Sequence, residues 1–372
     1  MASVTTDQVM KTLEGVRDPE LGGNVVELGM ITDVAVEGSA VDIGLALTIA
    51  ECPLRSQLEN DTRRRVGSIP GVDVVNVRTT AMTKRQRAEL MSVARRKARE
   101  NAEPTQVAST TRVIAVASGK GGVGKSSISV NLAAGLAAEG FRVGLLDADI
   151  WGFSVPRMIG ATGKLEANAT SRLIEPVRAN DVAVVSTGLI IESEETALMW
   201  RGLMLSKALE QFLKQVNWGD LDYLVLDMPP GTGDVQMALT RMLPQAEMIV
   251  VTTPQRAAQR VAIRVADMAR RSHMPVVGVI ENMSGDVFGT GGGSDLADEL
   301  GVPLIASIPL DPAVVEGGDT GRPVVLETGS GPAAVALAGT VERVMALVPP
   351  ADLETCTGRI ARLIADLEDG AA

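Results

Sequence analysis

The sequence predicts an α/β protein: a mostly parallel sheet with helices on both faces, preceded by a small α+β domain. Three observations carry that expectation. From Arg112 to about Pro349, short apolar runs alternate with helical stretches, as in "RVIAVAS", "FRVGLLDAD", "VAVVST", "LDYLVLDM", "EMIVVTT", "PVVGVI" and "PLIASI". Such runs are what strands buried on both faces of a parallel sheet require. The first run leads into a glycine-rich turn and then a helical pattern, "SGKGGVGKSSISVNL". Ahead of this region, by contrast, residues 1–82 show strands around a tight turn.

In order along the chain, Val9, Met10, Leu13 and Val16 lie on one helix face, with Thr5 or Thr6 as the N-cap. "VVELGMITDVAVEGSAVDIGLALTI" reads as two β segments around Glu37-Gly38-Ser39. A polar helix from Pro53 to Arg65 and the strand "VDVVNVRTT" complete this domain. Residues 83–110 follow as a basic helix, "TKRQRAELMSVARRKARE", and a loose linker; a solvated connecting helix is preferred to a nucleic-acid face. The nucleotide-binding region spans 111–349. A tail helix over 350–372 carries Ile360, Leu363, Ile364 and Leu367 on one stripe.

Composition narrows the function classes. With 372 residues there is chain for about two domains. A net charge of −11 and 2% aromatic residues argue against a nucleic-acid partner. No apolar run approaches the roughly 20 residues of a membrane span, and the first residues lack a signal-peptide layout. The expectation is a cytoplasmic protein without a membrane partner. The tail helix agrees, since Arg359, Arg362, Asp366, Glu368 and Asp369 give it no basic excess. Two cysteines, Cys52 and Cys356, exclude a disulfide framework and a four-cysteine zinc site within one chain.

The chemistry concentrates at the glycine-rich turn. Gly119, Gly124, Lys125 and Ser126 satisfy G-x-x-x-x-G-K-S. Backbone N–H groups of Gly119, Lys120, Gly121, Gly122, Val123, Gly124, Lys125, Ser126 and Ser127 then line a concavity for phosphates, with a helix N-terminus pointing into it. Lys125 is expected to reach the β- and γ-phosphates of ATP, and Ser126 to ligand Mg²⁺. Two further strand ends carry carboxylates: Asp147 and Asp149 in "LLDADIWG", and Asp227 in "LVLDMPPGTGD". One can hold Mg²⁺ while another orients or deprotonates water. Aspartates after strands also cap helices. Their meaning here comes from standing beside a complete phosphate loop.

"GKGGVGKSS" resembles the deviant phosphate loop of the MinD, ParA and nitrogenase-iron-protein class. The phrases "ALMWRGLMLSKALEQFLKQVNWGDLDYLVLDMPPGTGD", "TTPQ", "ENMS" and "IPLDP" resemble the Mrp/ApbC family of iron–sulfur cluster carrier ATPases. "DPELGGNVVELGMI" and "LTIAECP" resemble the SufT/PaaD-type assembly domain.

The resemblance implies an ATP-hydrolysing, Mg-dependent homodimer that passes iron–sulfur clusters to apoproteins and works with cluster assembly factors. It implies that Lys120 acts on phosphates bound by a partner subunit, that Asp149 positions water, and that Asp227 is the metal-shell carboxylate. Asn282 and the stretch Pro309 to Pro312 fall where the class contacts adenine, although an Asn after a strand is also a common turn residue. Catalysis is thus expected from Lys120, Lys125, Asp149 and Asp227.

One departure matters. The family usually continues after "ENMS" with C-x-x-C, whereas this chain reads "ENMSGDVFGTGGGSDLADEL". The family's cluster site does not transfer, and Gly289 to Gly293 read as a flexible loop. Cys52, just before a predicted helix start, is then the candidate ligand; its bland alternative is a small buried hydrophobe. The competing function is a MinD/ParA-like switch in which ATP controls partner binding without a cluster.

Overall fold

The computed structural model describes residues 4–18, 23–48, 54–83, 85–87, 89–90, 92–93, 102–150, 152–190, 202–231, 234–327 and 331–350. Cys52, Cys356 and residues 351–372 of the expected tail helix lie outside them. The chain divides into two compact units, Met1–Asn101 and Ala102–Ala372.

In the first unit, α1 (Thr6–Leu13) starts where Thr5 Oγ1 accepts from the Gln8 N–H at 3.3 Å. A hairpin of β1 (Ile31–Glu37) and β2 (Ala40–Leu47) follows, then α2 (Arg55–Val66) and β3 (Val74–Ala81). β2 lies between its neighbours, antiparallel to β1 and parallel to β3. Val9, Leu13, Ile43, Leu45, Leu58 and Val66 form the core. Leu90 is buried in that core and Val93 packs against it, while Arg85 is exposed and pairs with Glu89. The basic stretch after residue 82 is therefore not fully solvated; its apolar side belongs to the small unit.

The second unit is built on eight strands: β4 (Arg112–Ser118), β5 (Val143–Asp147), β8 (Val177–Ala179), β9 (Val182–Val185), β10 (Tyr223–Asp227), β11 (Glu247–Thr252), β12 (Val276–Ser284) and β13 (Leu304–Pro309). Their order is β13-β12-β11-β4-β10-β5-β9-β8, with all neighbours parallel except the edge pair β8–β9. A two-strand ribbon of β6 (Glu166–Ala167) and β7 (Ile174–Glu175) stands apart. Successive residues of a strand face opposite ways. On β4, Val113, Ala115 and Ala117 join one core while Ile114 and Val116 join the other.

Helices α5 (Gly202–Gln215), α6 (Asp234–Met242), α7 (Arg256–Arg271) and α8 (Gly292–Leu300) cover the first face. On the second lie α3 (Lys125–Ala138), α4 (Val155–Ile159) and α10 (Gly331–Leu347), with α9 (Pro312–Thr320) packed alongside. The open α/β sheet covered on both faces is thus the architecture that the apolar runs predict. Among the described residues, no helix is long and apolar enough to cross a membrane.

The glycine-rich stretch after "ENMS" differs from the expected flexible loop. β12 runs through "ENMS" to Ser284, so Asn282 is a buried strand residue and not a turn residue. Gly285 and Gly289 exchange backbone hydrogen bonds at 2.9 and 2.7 Å. Gly292 and Gly293 begin α8 and are buried. A Cβ on Gly292 would come within 2.3 Å of Pro254 O, and one on Gly293 within 2.4 Å of Glu281 Cβ. Gly292 and Gly293 therefore serve close packing, whereas Gly289 and Gly291 supply positive φ, +82° and +89°. Glu281, buried, clamps this start by accepting from the Gly291 and Gly293 N–H groups at 3.3 and 2.6 Å and from Ser307 Oγ at 2.7 Å.

Candidate nucleotide site

The phosphate loop joins β4 to α3, at the C-terminal edge of the sheet where its order reverses around β4. Ligands of open α/β sheets sit at such an edge. Gly122 and Gly124 both have φ of +79°, which turns successive N–H groups toward one concavity. Gly124 is also the N-cap of α3 and offers no side-chain cap, so the first helical N–H groups remain for an anion. Gly119 is required by close approach: a Cβ there would lie 2.5 Å from the backbone of α7 at Ala262.

Three strand ends converge here. Asp227 and Asp147 are directly paired across the β10–β5 register, and Asp227 also faces Val116 of β4. Both carboxylates are buried. Lys125 Nζ lies 2.7 Å from Asp227 Oδ1, as a buried ion pair. Ser126 Oγ donates to Asp227 Oδ2 at 2.6 Å. The candidate residues Lys125, Ser126 and Asp227 are thus in mutual contact.

Asp147 organises the loop that carries Asp149. Its Oδ1 accepts from the Asp149 N–H at 3.1 Å, and its Oδ2 from the Ser154 and Val155 N–H groups and from Ser186 Oγ. Asp149 is half-buried, and its Oδ1 accepts from the Gly152 N–H at 3.2 Å. Burial raises the Asp149 carboxyl above its ordinary range, opposed mainly by the Lys125 charge.

Burial first, and then the Asp227 charge, push the Asp147 carboxyl up to about 8. The folded chain therefore holds a proton between about pH 4 and 8 that the unfolded chain has released. Stability of the nucleotide-free protein is expected to be fullest below that window and to fall as pH rises through it. Melting temperatures measured across pH without nucleotide test this: Asp147→Asn should flatten the slope, whereas an unchanged slope would assign it to other groups.

Lys120 is half-exposed at the mouth of the loop, and its Nζ donates to Gln255 Oε1 at 3.3 Å. Asn282 approaches the loop from β12 and donates from Nδ2 to Val123 O at 2.9 Å. A Cβ on Gly124 would meet that amide at 2.2 Å, a second reason for glycine there. Beside the loop opens a cavity of about 340 Å³, lined among others by Ser127, Phe153, Asn282, Met283, Pro309 and Leu310. That volume suits a small organic ligand. Arg157 of α4 and Asp319 of α9, 2.9 Å apart, lie at its wall.

The donor set suits Mg²⁺. Ser126 Oγ and Asp227 Oδ2 are hard oxygens already side by side next to the phosphate cradle, as this cation prefers. For an iron–sulfur cluster there is no such set: among the described residues, no group of three or more His, Cys, Asp or Glu is placed to hold a metal. The side chain of Asp234 also falls outside the described residues. Sequence reasoning misses Ser129 and Glu281, and it names Asp147 only as a strand-end carboxylate, without its role in fixing the loop that carries Asp149. Ser129 had a readable signal, since four residues after Lys125 it must share that lysine's helix face.

Residues 109–345 match the NUBPL iron-transfer P-loop NTPase family, and residues 6–79 match the iron–sulfur cluster assembly protein family. The iron–sulfur cluster carrier protein of Mycobacterium leprae is 45% identical over 341 residues, covering 87% of this chain and 88% of that protein. Its namesake in Synechocystis is 41% identical over 364 residues, covering 94% and 99%. The septum site-determining protein MinD of Pyrococcus horikoshii, solved with Mg-ADP, superposes with a TM-score of 0.52. At 23% identity, covering 65% of this chain and 98% of that one, it shares the fold.

Proposed function

Because the chain belongs to the iron-transfer P-loop NTPase family of iron–sulfur cluster carriers, we propose that it is a Mg-dependent ATPase that binds iron–sulfur clusters and delivers them to apoproteins. The observation that carries the nucleotide half is the contact set of Lys125, Ser126 and Asp227 at the base of an uncapped helix. The cargo half rests on the carrier proteins that the chain resembles along most of its length.

In this reading the loop N–H groups from Gly119 to Ser127 bind the phosphates, and the cavity beside Asn282 and Pro309 takes the adenine. Lys125 leaves Asp227 for the β- and γ-phosphates. Ser126 and Asp227 hold Mg²⁺, which when bound would neutralise charge on the phosphate oxygens. Asp149, on the loop fixed by Asp147, orients the attacking water and accepts its proton; a carboxyl raised above its ordinary range is the stronger base for that role. Contacts with the γ-phosphate would order this loop and close a homodimer, so ATP and ADP favour different states.

Lys120 is the residue assigned to the partner subunit's phosphates. Lys120→Ala should keep nucleotide affinity within a few-fold but abolish ATP-dependent dimerisation and slow hydrolysis roughly a hundredfold. Light scattering with ATP and a turnover assay check it; an unchanged dimer with normal turnover would remove Lys120 from this role.

For the cargo, Cys52 remains our candidate ligand, supplied before α2 of the small unit, with further ligands from other thiols or carboxylates. Cys52→Ser is expected to reduce bound iron several-fold more than Cys356→Ser after anaerobic reconstitution, read by iron and sulfide analysis and visible charge-transfer absorbance. Equal iron in wild type and Cys52→Ser would move the site elsewhere. No iron at all, together with ATP-dependent partner binding, would favour a MinD/ParA-like switch instead.

A further inference from the structure

Asp227 is buried, so its protein partners set the direction of its carboxylate. Lys125 Nζ and Ser129 Oγ both sit on Oδ1 at 2.7 Å, and Ser126 Oγ sits on Oδ2 at 2.6 Å. Two of these partners have other tasks once nucleotide arrives, since Lys125 turns to the phosphates and Ser126 offers its oxygen to the cation. Ser129 has none. It lies one turn after Lys125 on α3 and is fully buried. Its hydroxyl has one proton and two acceptors in reach, Lys125 O at 3.1 Å and Asp227 Oδ1 at 2.7 Å. The shorter bond ends on a carboxylate and is the stronger.

We propose that Ser129 is a positioning residue for Asp227: it holds Oδ1 throughout the cycle, so that Oδ2 keeps facing Ser126 and the cation after Lys125 has left. This rests on the reading of Asp227 as the carboxylate beside Mg²⁺. Without the hydroxyl, the buried carboxylate is free to rotate about its Cβ–Cγ bond when the lysine departs. The cation then meets a pair of oxygens that is not preorganised.

Mn²⁺ is the probe, because its paramagnetic resonance signal separates free from bound ion. The full chain is saturated with a non-hydrolysable ATP analogue and titrated with Mn²⁺, as wild type, Ser129→Ala and Ser129→Cys. Cysteine keeps the side chain's size but is a weak donor. Loss of one hydrogen bond to a charged group should weaken Mn²⁺ binding and lower kcat by about tenfold in both variants. Nucleotide affinity measured in EDTA should be unchanged, which a general disturbance of the loop would not allow.

Wild-type Mn²⁺ affinity in either variant would overturn the proposal, as would a parallel loss of metal-free nucleotide affinity. Asp227→Asn tests the underlying reading separately. If it loses Mn²⁺ while the Ser129 variants do not, only the role of Ser129 fails; if it keeps wild-type Mn²⁺ affinity, the reading of Asp227 fails with it.

Discussion

Lys125→Ala is expected to lower nucleotide affinity by at least a hundredfold, to abolish hydrolysis and to destabilise the nucleotide-free protein as well. Affinity is lost because the loop's buried cation is its charge partner for the phosphates, and each hydrogen bond to a charged group contributes about 1.5–3 kcal/mol. The stability effect follows from the ion pair. Lys125 and Asp227 have side-chain exposures of 7% and 1%, so removing the lysine leaves a carboxylate in the core with only hydroxyl partners. Breaking a buried pair in this way costs roughly 3–5 kcal/mol. Removing both charges should cost less. Lys125→Ala/Asp227→Asn is therefore expected to regain most of the melting temperature while still failing to bind nucleotide. Calorimetry and thermal unfolding of the two variants check this, and near-normal affinity in Lys125→Ala would refute the assignment of the loop.

Asp149→Ala is expected to separate binding from chemistry. General base and water-orienting groups contribute roughly 10²–10⁴-fold to rate. The variant should bind ATP normally, turn over at least a hundredfold more slowly, and accumulate in its ATP-bound form. Asp149 is placed for this by its neighbours: its own N–H is fixed by Asp147, and Gly152 N–H holds its carboxylate. Turnover at the wild-type rate would pass the role to another group, with Asp234, the last residue of "LVLDMPPGTGD", the next candidate.

What was legible in the sequence was what local chemistry dictates. The strands of the large sheet stood out because parallel strands covered on both faces must be apolar at nearly every position, as "YLVLD" of β10 is. The loop was legible because glycines, Lys125 and Ser126 sit at fixed spacing. β8 was not, since "VRA" at the sheet edge has too few residues to carry a pattern. Gly292 and Gly293 are ambiguous for a related reason: flexibility and close packing demand the same residue, and only the nearby Pro254 and Glu281 show which applies. Asp147 is visible in the sequence as a strand-end carboxylate, but its role is not, because that role depends on register. Nothing local says that β5 sets it opposite Asp227, while Asp149, two residues on, is left half-exposed.

Whether ATP turnover serves the transfer of a bound cluster is decided by one assay. The protein is loaded with iron and sulfide under anaerobic conditions and mixed with an apoenzyme whose activity returns only with a cluster, with and without Mg-ATP. Recovery of activity is followed over time, with Lys125→Ala in parallel. The prediction is that loaded wild type restores activity, at a rate that changes with Mg-ATP, and that Lys125→Ala transfers at a rate indifferent to nucleotide. No recovery with loaded wild type, or recovery identical with and without Mg-ATP, would contradict it.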